Sequence, residues 1–196
     1  MKFRAMIVLA AVTMLSACGI NSVPTAEENA KARWADVQAA YQRRADTIPN
    51  IVATVKGSAA SEGKILTDVV NARANATRVQ VNATDLTDPA KIASYQAAQT
   101  QLGASLGRLL ATVEAYPDLK SQENFRSLIT EIEGSNNRIT IAIRDYNTAV
   151  QAYNTRIRTF PDAVGAKIFY GAKPMVPFQA QAGAEANPTV DFGNTN

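Results

Sequence analysis

The stretch FRSLITEIEGSNNRITIAIRDYNTAVQAYNTRIRTF, residues 125–160, decides the fold. Its seam residues recur in alternating steps of four and three, and Asn136 is the one polar member; the others are Phe125, Ile129, Ile132, Ile139, Ile143, Tyr146, Val150, Tyr153, Ile157 and Phe160. This spacing predicts one helix of roughly 54 Å, at about 1.5 Å per residue. Because so long an apolar seam is unstable in water, we expect other helices to pack along it.

The composition suits one helical domain with a leader and a tail. Of the 196 residues, 46% are hydrophobic and 19% are charged, which is enough apolar surface for a core. Removal of a leader containing Lys2 and Arg4 would lower the net charge from +3 to +1. That balance gives no reason to expect a nucleic-acid partner. The chain has no histidine, and its single cysteine, Cys18, cannot form an internal disulfide.

Residues 1–17 have the pattern of a signal peptide of the lipoprotein type. Lys2 and Arg4 precede the apolar run 5–15, which is too short for a hydrocarbon core that needs about 20 residues. The sequence Leu15-Ser16-Ala17-Cys18 resembles a bacterial lipobox, in which the cysteine is acylated, with palmitate among the expected chains, as the leader is cut away. The alternatives are an ordinary signal peptide and an uncleaved anchor with a stray cysteine.

The lipobox resemblance implies a bacterial cell-envelope protein that is attached to a membrane through lipidated Cys18. Gly19 stands where an aspartate would resemble an inner-membrane retention signal. We therefore expect the periplasmic face of the outer membrane, with the inner membrane as the alternative. Residues 18–24 form a short lipidated tether in this interpretation.

The helical bundle is expected to occupy residues 25–161. Thr25 and Glu28 fit a capping box at the start of the first helix. Pro49 then either begins a second helix at a corner or kinks one long helix. We favour the corner, because an uninterrupted rod of about 50 residues would outreach the third helix.

Proline also marks the bounds of the other two helices. Asp88-Pro89 has the cap and first-position pattern of a helix start, and Tyr116-Pro117 ends that third helix. Phe160-Pro161 ends the helix that contains the seam. Residues 162–196 form an irregular tail rich in Ala and Gly, whose candidates for docking on the bundle are Phe169, Phe178 and Phe192.

Three separated groups of residues resemble the signatures of the LemA family. They are Arg43-Arg44-Ala45-Asp46 with Ile48-Pro49-Asn50 and Val55-Lys56-Gly57; Glu114 to Lys120; and Asn137-Arg138-Ile139, Arg144, Tyr146-Asn147, Tyr153-Asn154 and Phe160-Pro161. Pro188 and Val190-Asp191-Phe192 are similar to the usual ending of the family. The resemblance covers about residues 25–192 and implies a four-helix bundle held at a membrane, with no established enzymatic activity.

Together, the helices and the resemblance predict an all-α fold, an up-and-down antiparallel four-helix bundle with long helices and coiled-coil-like packing. The candidate interaction or structural residues are Arg43, Arg44, Asn50, Asn137, Arg138, Arg144, Asn147 and Asn154. The arginine pair could contact anionic lipid or a partner's carboxylates, although we favour a solvated or intrachain-paired role. We expect the last two asparagines, one heptad apart, to bond a neighbouring helix or loop.

Catalysis and cofactor binding find little support in the sequence. Residues 103–107 match the G-x-S-x-G nucleophile elbow, but they lie within a predicted helix in a chain without histidine. Gly103 and Gly107 instead suggest close helix packing. Glu131 and Glu133 point to different helix faces, and no histidine is available for a di-iron or haem site, so no metal or cofactor is expected.

Two classes of function remain. The first is a non-catalytic, lipid-anchored scaffold or adaptor that presents a helical surface to an envelope protein partner of unknown identity. The second is a binding module that holds a small apolar or amphipathic ligand in the bundle cleft. A concave apolar pocket lined by the signature residues would favour the second class, and a flat exposed patch would favour the first.

Overall fold

The computed structural model describes residues 21–56, 63–114, 116 and 122–179. These ranges contain five α-helices and no strand; the helices are α1 (Ser22–Lys56), α2 (Gly63–Arg78), α3 (Pro89–Glu114), α4 (Glu123–Arg156) and the short α5 (Asp162–Gly165). A 3₁₀ turn at Ala83–Asp85 precedes α3, and a π-helical turn at Ala166–Tyr170 follows α5. The predicted all-α class is confirmed, whereas the leader, Cys18 and Phe192 lie outside the described residues.

Helices α1 and α4 pack against each other in opposite directions. The rings of Trp34 and Tyr146 have centroids 5.3 Å apart, and further along α1 the Thr47 hydroxyl donates to the Glu131 carboxylate at 3.1 Å. Because later residues of α1 meet earlier residues of α4, the pair is antiparallel. Their shared interface buries Val37, Ile48 and other apolar residues that are spaced at helical intervals.

Helix α2 runs back along α1 and also packs against α3. Arg73 of α2 donates from Nε to the Ala45 carbonyl at 2.7 Å. The Gln99 side chain of α3 donates to the Ala76 carbonyl of α2 at 3.3 Å, and this bond joins α3 to α2. The Trp34 indole reaches the Val81 carbonyl just beyond α2 at 3.0 Å. The large helices thus pack against one another through both apolar surfaces and side-chain hydrogen bonds.

Pro49 lies inside α1 and does not begin a second helix. The expected corner at this proline is therefore wrong; α1 continues to Lys56, and α2 begins at Gly63. Ile48, Ile51 and Val55 around the proline are completely buried. A proline within a helix costs about 3 kcal/mol, whereas burying each of these side chains contributes about 1.5–3 kcal/mol. Packing on both sides therefore outweighs the local penalty.

The seam of α4 follows the prediction over most of its length but departs from it in two places. Asn136 is exposed and Ser135 is buried in its stead, because a straight helix of 3.6 residues per turn drifts away from a strict heptad. Helix α4 ends at Arg156, earlier than expected, and Phe160 is 86% exposed. The expected place of Asn136 in the buried seam is therefore wrong.

The two predicted helix starts have opposite outcomes. Asp88 caps α3 by accepting hydrogen bonds from the backbone N–H groups of Ala90 and Lys91 at 2.9 and 3.3 Å, as expected. Helix α1 begins at Ser22, and Thr25 lies inside it with its hydroxyl donating to the Asn21 carbonyl. The predicted capping box at Thr25 is therefore wrong.

The segment 171–179 is extended and lies against the helices. Val176 donates its backbone N–H to the Leu86 carbonyl at 2.8 Å, and Met175 and Phe178 are buried. Phe169, in contrast, is 66% exposed. No helix in the described part of the chain is both long and apolar enough to cross a bilayer.

Candidate functional site

Two asparagines of α4 hold the extended segment by its backbone. Asn147 accepts from the Phe178 N–H at 2.8 Å and donates to the Phe178 carbonyl at 3.0 Å. Asn154 makes the same pair of bonds with Met175, at 2.9 and 2.8 Å. The seven-residue spacing of the asparagines places both amides on one side of α4. We call this arrangement the asparagine clamp.

The side chain of Phe178 enters an aromatic cluster on the inner side of the clamp. Its ring centroid lies 5.8 Å from that of Trp34 and 6.3–6.4 Å from those of Tyr41, Tyr95 and Tyr146. Such contacts add about 0.5–1.5 kcal/mol per pair beyond the burial of the rings. The tail segment therefore completes the core.

Two tyrosine hydroxyls add to this attachment. Tyr146 donates to the Val176 carbonyl at 2.9 Å, and Tyr153 donates to the Lys173 carbonyl at 3.1 Å. Burial raises the pKa of Tyr146 and of Tyr153 above the ordinary value of 10, because the charged phenolate is poorly solvated there. Both groups are therefore neutral hydrogen-bond donors at neutral pH.

Arg44 is the buried charge of the site. Only 6% of it is exposed, and its Nη2 donates to the backbone carbonyl and to the side-chain oxygen of Gln99 at 3.0 and 3.1 Å. The guanidinium lies 5.1 Å from the centre of the Tyr41 ring, whereas Nε is buried without a hydrogen-bond partner in the described structure. Burial lowers the pKa of Arg44, and the phenol groups of Tyr41 and Tyr95 oppose that shift.

The remaining predicted site residues lie on the surface. Those on α1 are Arg43 and Asn50, and those on α4 are Asn137, Arg138 and Arg144. Arg144 forms an exposed ion pair with the adjacent Asp145 at 3.2 Å. The structure therefore separates the eight candidates into buried Arg44, the half-buried asparagine clamp and five exposed side chains.

The glycine motif of α3 lies within the helix, and its two glycines differ in their surroundings. Ser105 is buried and its hydroxyl donates to the Leu102 carbonyl at 2.9 Å within the helix. A side chain at Gly107 would meet nothing within 4 Å, so the expected close packing there is wrong. A Cβ at Gly103 would lie 3.7 Å from Nη1 of Arg44, so this glycine faces a side chain of α1.

Within the described ranges, no three acidic or cysteine side chains come together as a group that could hold a metal ion. One open groove of about 340 Å³ is lined mainly by Gln, Ala and Thr side chains with Tyr41 and Tyr95. This groove, being open and largely polar, differs from the enclosed apolar pockets of typical small-molecule sites.

Sequence reasoning missed Gln99, whereas the predicted docking of Phe178 on the bundle is confirmed. Gln99 was not among the predicted site residues, yet it joins Arg44 to the Ala76 carbonyl. The heptad spacing of Asn147 and Asn154 signalled a paired role but not the partner. Met175, a large apolar side chain in a tail rich in Ala and Gly, was the available signal for a second buried residue in this segment.

Comparison with known proteins gives one family. The sequence profile described as the LemA family matches residues 33–192. The chain is also 28% identical over 124 residues to "Protein LemA" of Metamycoplasma hominis, a match that covers 63% of this chain and 52% of that protein.

A second group of relatives matches a shorter stretch. "Magnetosome protein MamQ 2" of Paramagnetospirillum magneticum is 37% identical over 59 residues, covering 30% of this chain and 22% of that protein. "Magnetosome protein MamQ" of Magnetospirillum gryphiswaldense is 32% identical over 59 residues, which again cover 30% of this chain and 22% of that protein. The chain thus spans about a fifth of the magnetosome proteins and about half of the mycoplasma protein.

Proposed function

Because the chain belongs to the LemA family, we propose that it is a non-catalytic, lipid-anchored scaffold or adaptor of the bacterial envelope. In this proposal the four long helices form one up-and-down bundle that is attached through Cys18. The bundle presents a helical surface to a partner protein.

One observation carries the proposal: the asparagine clamp binds a segment of its own chain. Both amides of the clamp bond the backbone of the 171–179 segment, and Phe178 fills the space between the aromatic rings. A ligand would have to displace this segment to reach those groups. The clamp asparagines therefore support the structure of the bundle itself. A partner protein would contact the exposed candidate residues instead.

The exposed candidates support a binding surface on the α1–α4 pair. Arg43 and Asn137 lie at about the same level of this antiparallel pair, close to the bond between Thr47 and Glu131. Arg138 is exposed beside them. Exposed arginine and asparagine side chains suit a polar partner surface, in which Arg commonly provides strong contacts.

The end of the bundle near the proposed anchor supports attachment to a membrane. Helix α1 begins at Ser22, and the antiparallel α4 brings residues 157–170 to the same end. Four large apolar side chains are 49–86% exposed there: Phe160, Val164, Ile168 and Phe169. Apolar side chains and the nearby Lys167 suit the boundary between lipid headgroups and acyl chains.

Acylation at Cys18 is the first test of the proposal. The wild-type protein should incorporate a palmitate analogue and fractionate with membranes, and Cys18→Ala should lose both the label and processing at this site. Several acyl chains bind far more firmly than one, at about 0.8 kcal/mol per buried CH₂. A mature wild-type protein that carries no acyl chain would refute the anchored part of the proposal.

The scaffold role needs a separate measurement. A photo-crosslinking amino acid in place of exposed Arg138 should capture a discrete partner in intact cells. The same group at Arg108, which is exposed on α3, is the control position. Equal capture at both positions, or none at Arg138, would contradict a partner surface on the α1–α4 pair.

One observation favours the ligand-binding alternative. A groove of about 290 Å³ lies between the C-terminal end of α3 and the N-terminal end of α4. Its lining includes Leu110, Val113, Phe125 and Ile129. Native mass spectrometry of the purified protein tests whether it retains an apolar molecule. Retention that is lost in Ile129→Glu, but kept in Arg138→Glu, would favour this alternative over the scaffold.

A further inference from the structure

We propose that the groove between α1 and α3 at Arg44 is a binding site for a small molecule that carries a carboxylate group. This site is additional to the scaffold role proposed above and does not depend on it. The groove has a volume of about 290 Å³ and is lined by Tyr41, Arg44, Gln99, Thr100, Gly103 and Ala104.

The first step of the argument is the missing counter-charge. Arg44 is buried, and the groups whose charges act on it are Tyr41 and Tyr95, neither of which carries a negative charge at neutral pH. None of the residues that line the groove is acidic. A guanidinium remains charged at any physiological pH, and a buried charge without a partner is unfavourable. The groove therefore has a cation that an anion would neutralise.

The second step is the unused hydrogen-bonding capacity. Both hydrogen bonds of the guanidinium to Gln99 start from Nη2, and Nε has no partner within the described structure. The Nη1 side faces Gly103, where the absence of a side chain keeps the groove open. A carboxylate in the groove would accept a charge-assisted hydrogen bond from Nη1.

The third step concerns the class of ligand. The volume is at the lower end of the range for small-molecule sites, so a small organic acid fits better than a cofactor. The Tyr41 ring lies against the guanidinium at 5.1 Å and holds its plane in position. Ala104 and the aromatic ring offer apolar contacts for the carbon skeleton of such an acid.

Thermal unfolding of the full-length protein in detergent provides the test, with sodium acetate and sodium succinate as probes. Sodium chloride at equal ionic strength is the reference. Binding to the folded state predicts a saturable rise in Tm with either carboxylate and none with chloride. An equal rise with chloride, or no rise with either carboxylate, would overturn the proposal.

The adjacent arginines provide a matched pair of variants. Arg44→Met should abolish the carboxylate-dependent rise, whereas Arg43→Met, at an exposed position, should retain it. Arg44→Lys keeps a charge but loses the Nη1 donor beside Gly103, and should weaken binding roughly tenfold or more, the loss of one charge-assisted hydrogen bond. A rise that persists unchanged in Arg44→Met refutes the site.

The glycines of α3 test the groove without touching the arginine. Gly103→Leu places a side chain in the groove beside Arg44 and should abolish the effect of the carboxylates. Gly107→Leu is the control, because its side chain enters open space. Both changes favour the helix, so each variant should fold even if Arg44→Met does not. Equal carboxylate binding by the two glycine variants would contradict the proposed location.

Discussion

Replacing the clamp asparagines should loosen the tail segment while leaving the helices formed. Asn147→Ala and Asn154→Ala each remove two hydrogen bonds of 2.8–3.0 Å to the backbone of the segment. At about 0.5–1.5 kcal/mol of net stabilisation per bond, each change removes about 1–3 kcal/mol. Alanine favours a helix over asparagine by roughly 0.6 kcal/mol, so the net loss should be about 0.5–2.5 kcal/mol.

The single tryptophan makes this loss measurable in two ways. Trp34 lies 5.8 Å from the Phe178 ring, so its fluorescence reports on docking of the segment, and circular dichroism reports on the helices. In urea, the fluorescence transition of either variant should precede the loss of helix. Amide exchange at Met175 and Phe178 should also accelerate, because their N–H groups bond to the clamp.

Asn137→Ala is the matched control, since this asparagine is exposed on the same helix. It should leave stability unchanged or raise it by roughly 0.6 kcal/mol. If both clamp variants unfold like Asn137→Ala, with Trp34 fluorescence unchanged, the asparagines contribute no stability through the segment. The inference that the tail completes the core would then be refuted.

Three further predictions concern the helices and the buried phenols. Pro49→Ala should raise the free energy of unfolding by roughly 1–3 kcal/mol in urea titrations, because the proline is inside α1; a loss of stability would indicate a corner. Asp88→Ala should lower it by about 1 kcal/mol by removing the cap of α3, and an unchanged urea midpoint would contradict that cap. Burial raises the pKa of Tyr41, Tyr95 and Tyr146 in the folded protein. The stabilisation from the neutral phenols is therefore complete below the unfolded-state pKa of about 10, and it is lost as the pH rises through the pKa values of the folded state. Urea unfolding at increasing pH should show constant stability to about pH 9 and a decline above pH 10; constant stability above pH 10 would contradict the raised pKa values.

The helices and several of their ends could be predicted because their signals are local. The seam of α4 records which face is buried, and the cap at Asp88 acts within three residues of itself. The same local logic failed at Thr25, where a good capping pattern lies inside a longer helix. It failed again at Asn136, because a strict heptad count ignores the drift of a straight helix.

The sequence indicated some residues of the candidate site but not the groups that they bind. Asn147 and Asn154 stood out by their spacing, but their partners lie 31 and 21 residues further along the chain. Arg44 and Gln99 are 55 residues apart, and nothing in the local pattern of either indicates the other. Because side-chain amides and guanidinium groups bond any suitable acceptor, composition and spacing could not name their partners.

By itself, the sequence determined that this chain forms long amphipathic helices, since helical periodicity is a property of neighbouring residues. It also determined where α3 begins, through the cap and proline at residues 88–89. Only the tertiary structure decided that α1 continues through Pro49, because the burial of Ile48 and Ile51 against other helices outweighs the local cost of the proline. The tertiary structure likewise decided that the segment 171–179 docks in the clamp, because its hydrogen bonds and aromatic contacts exist only once distant helices have been brought together.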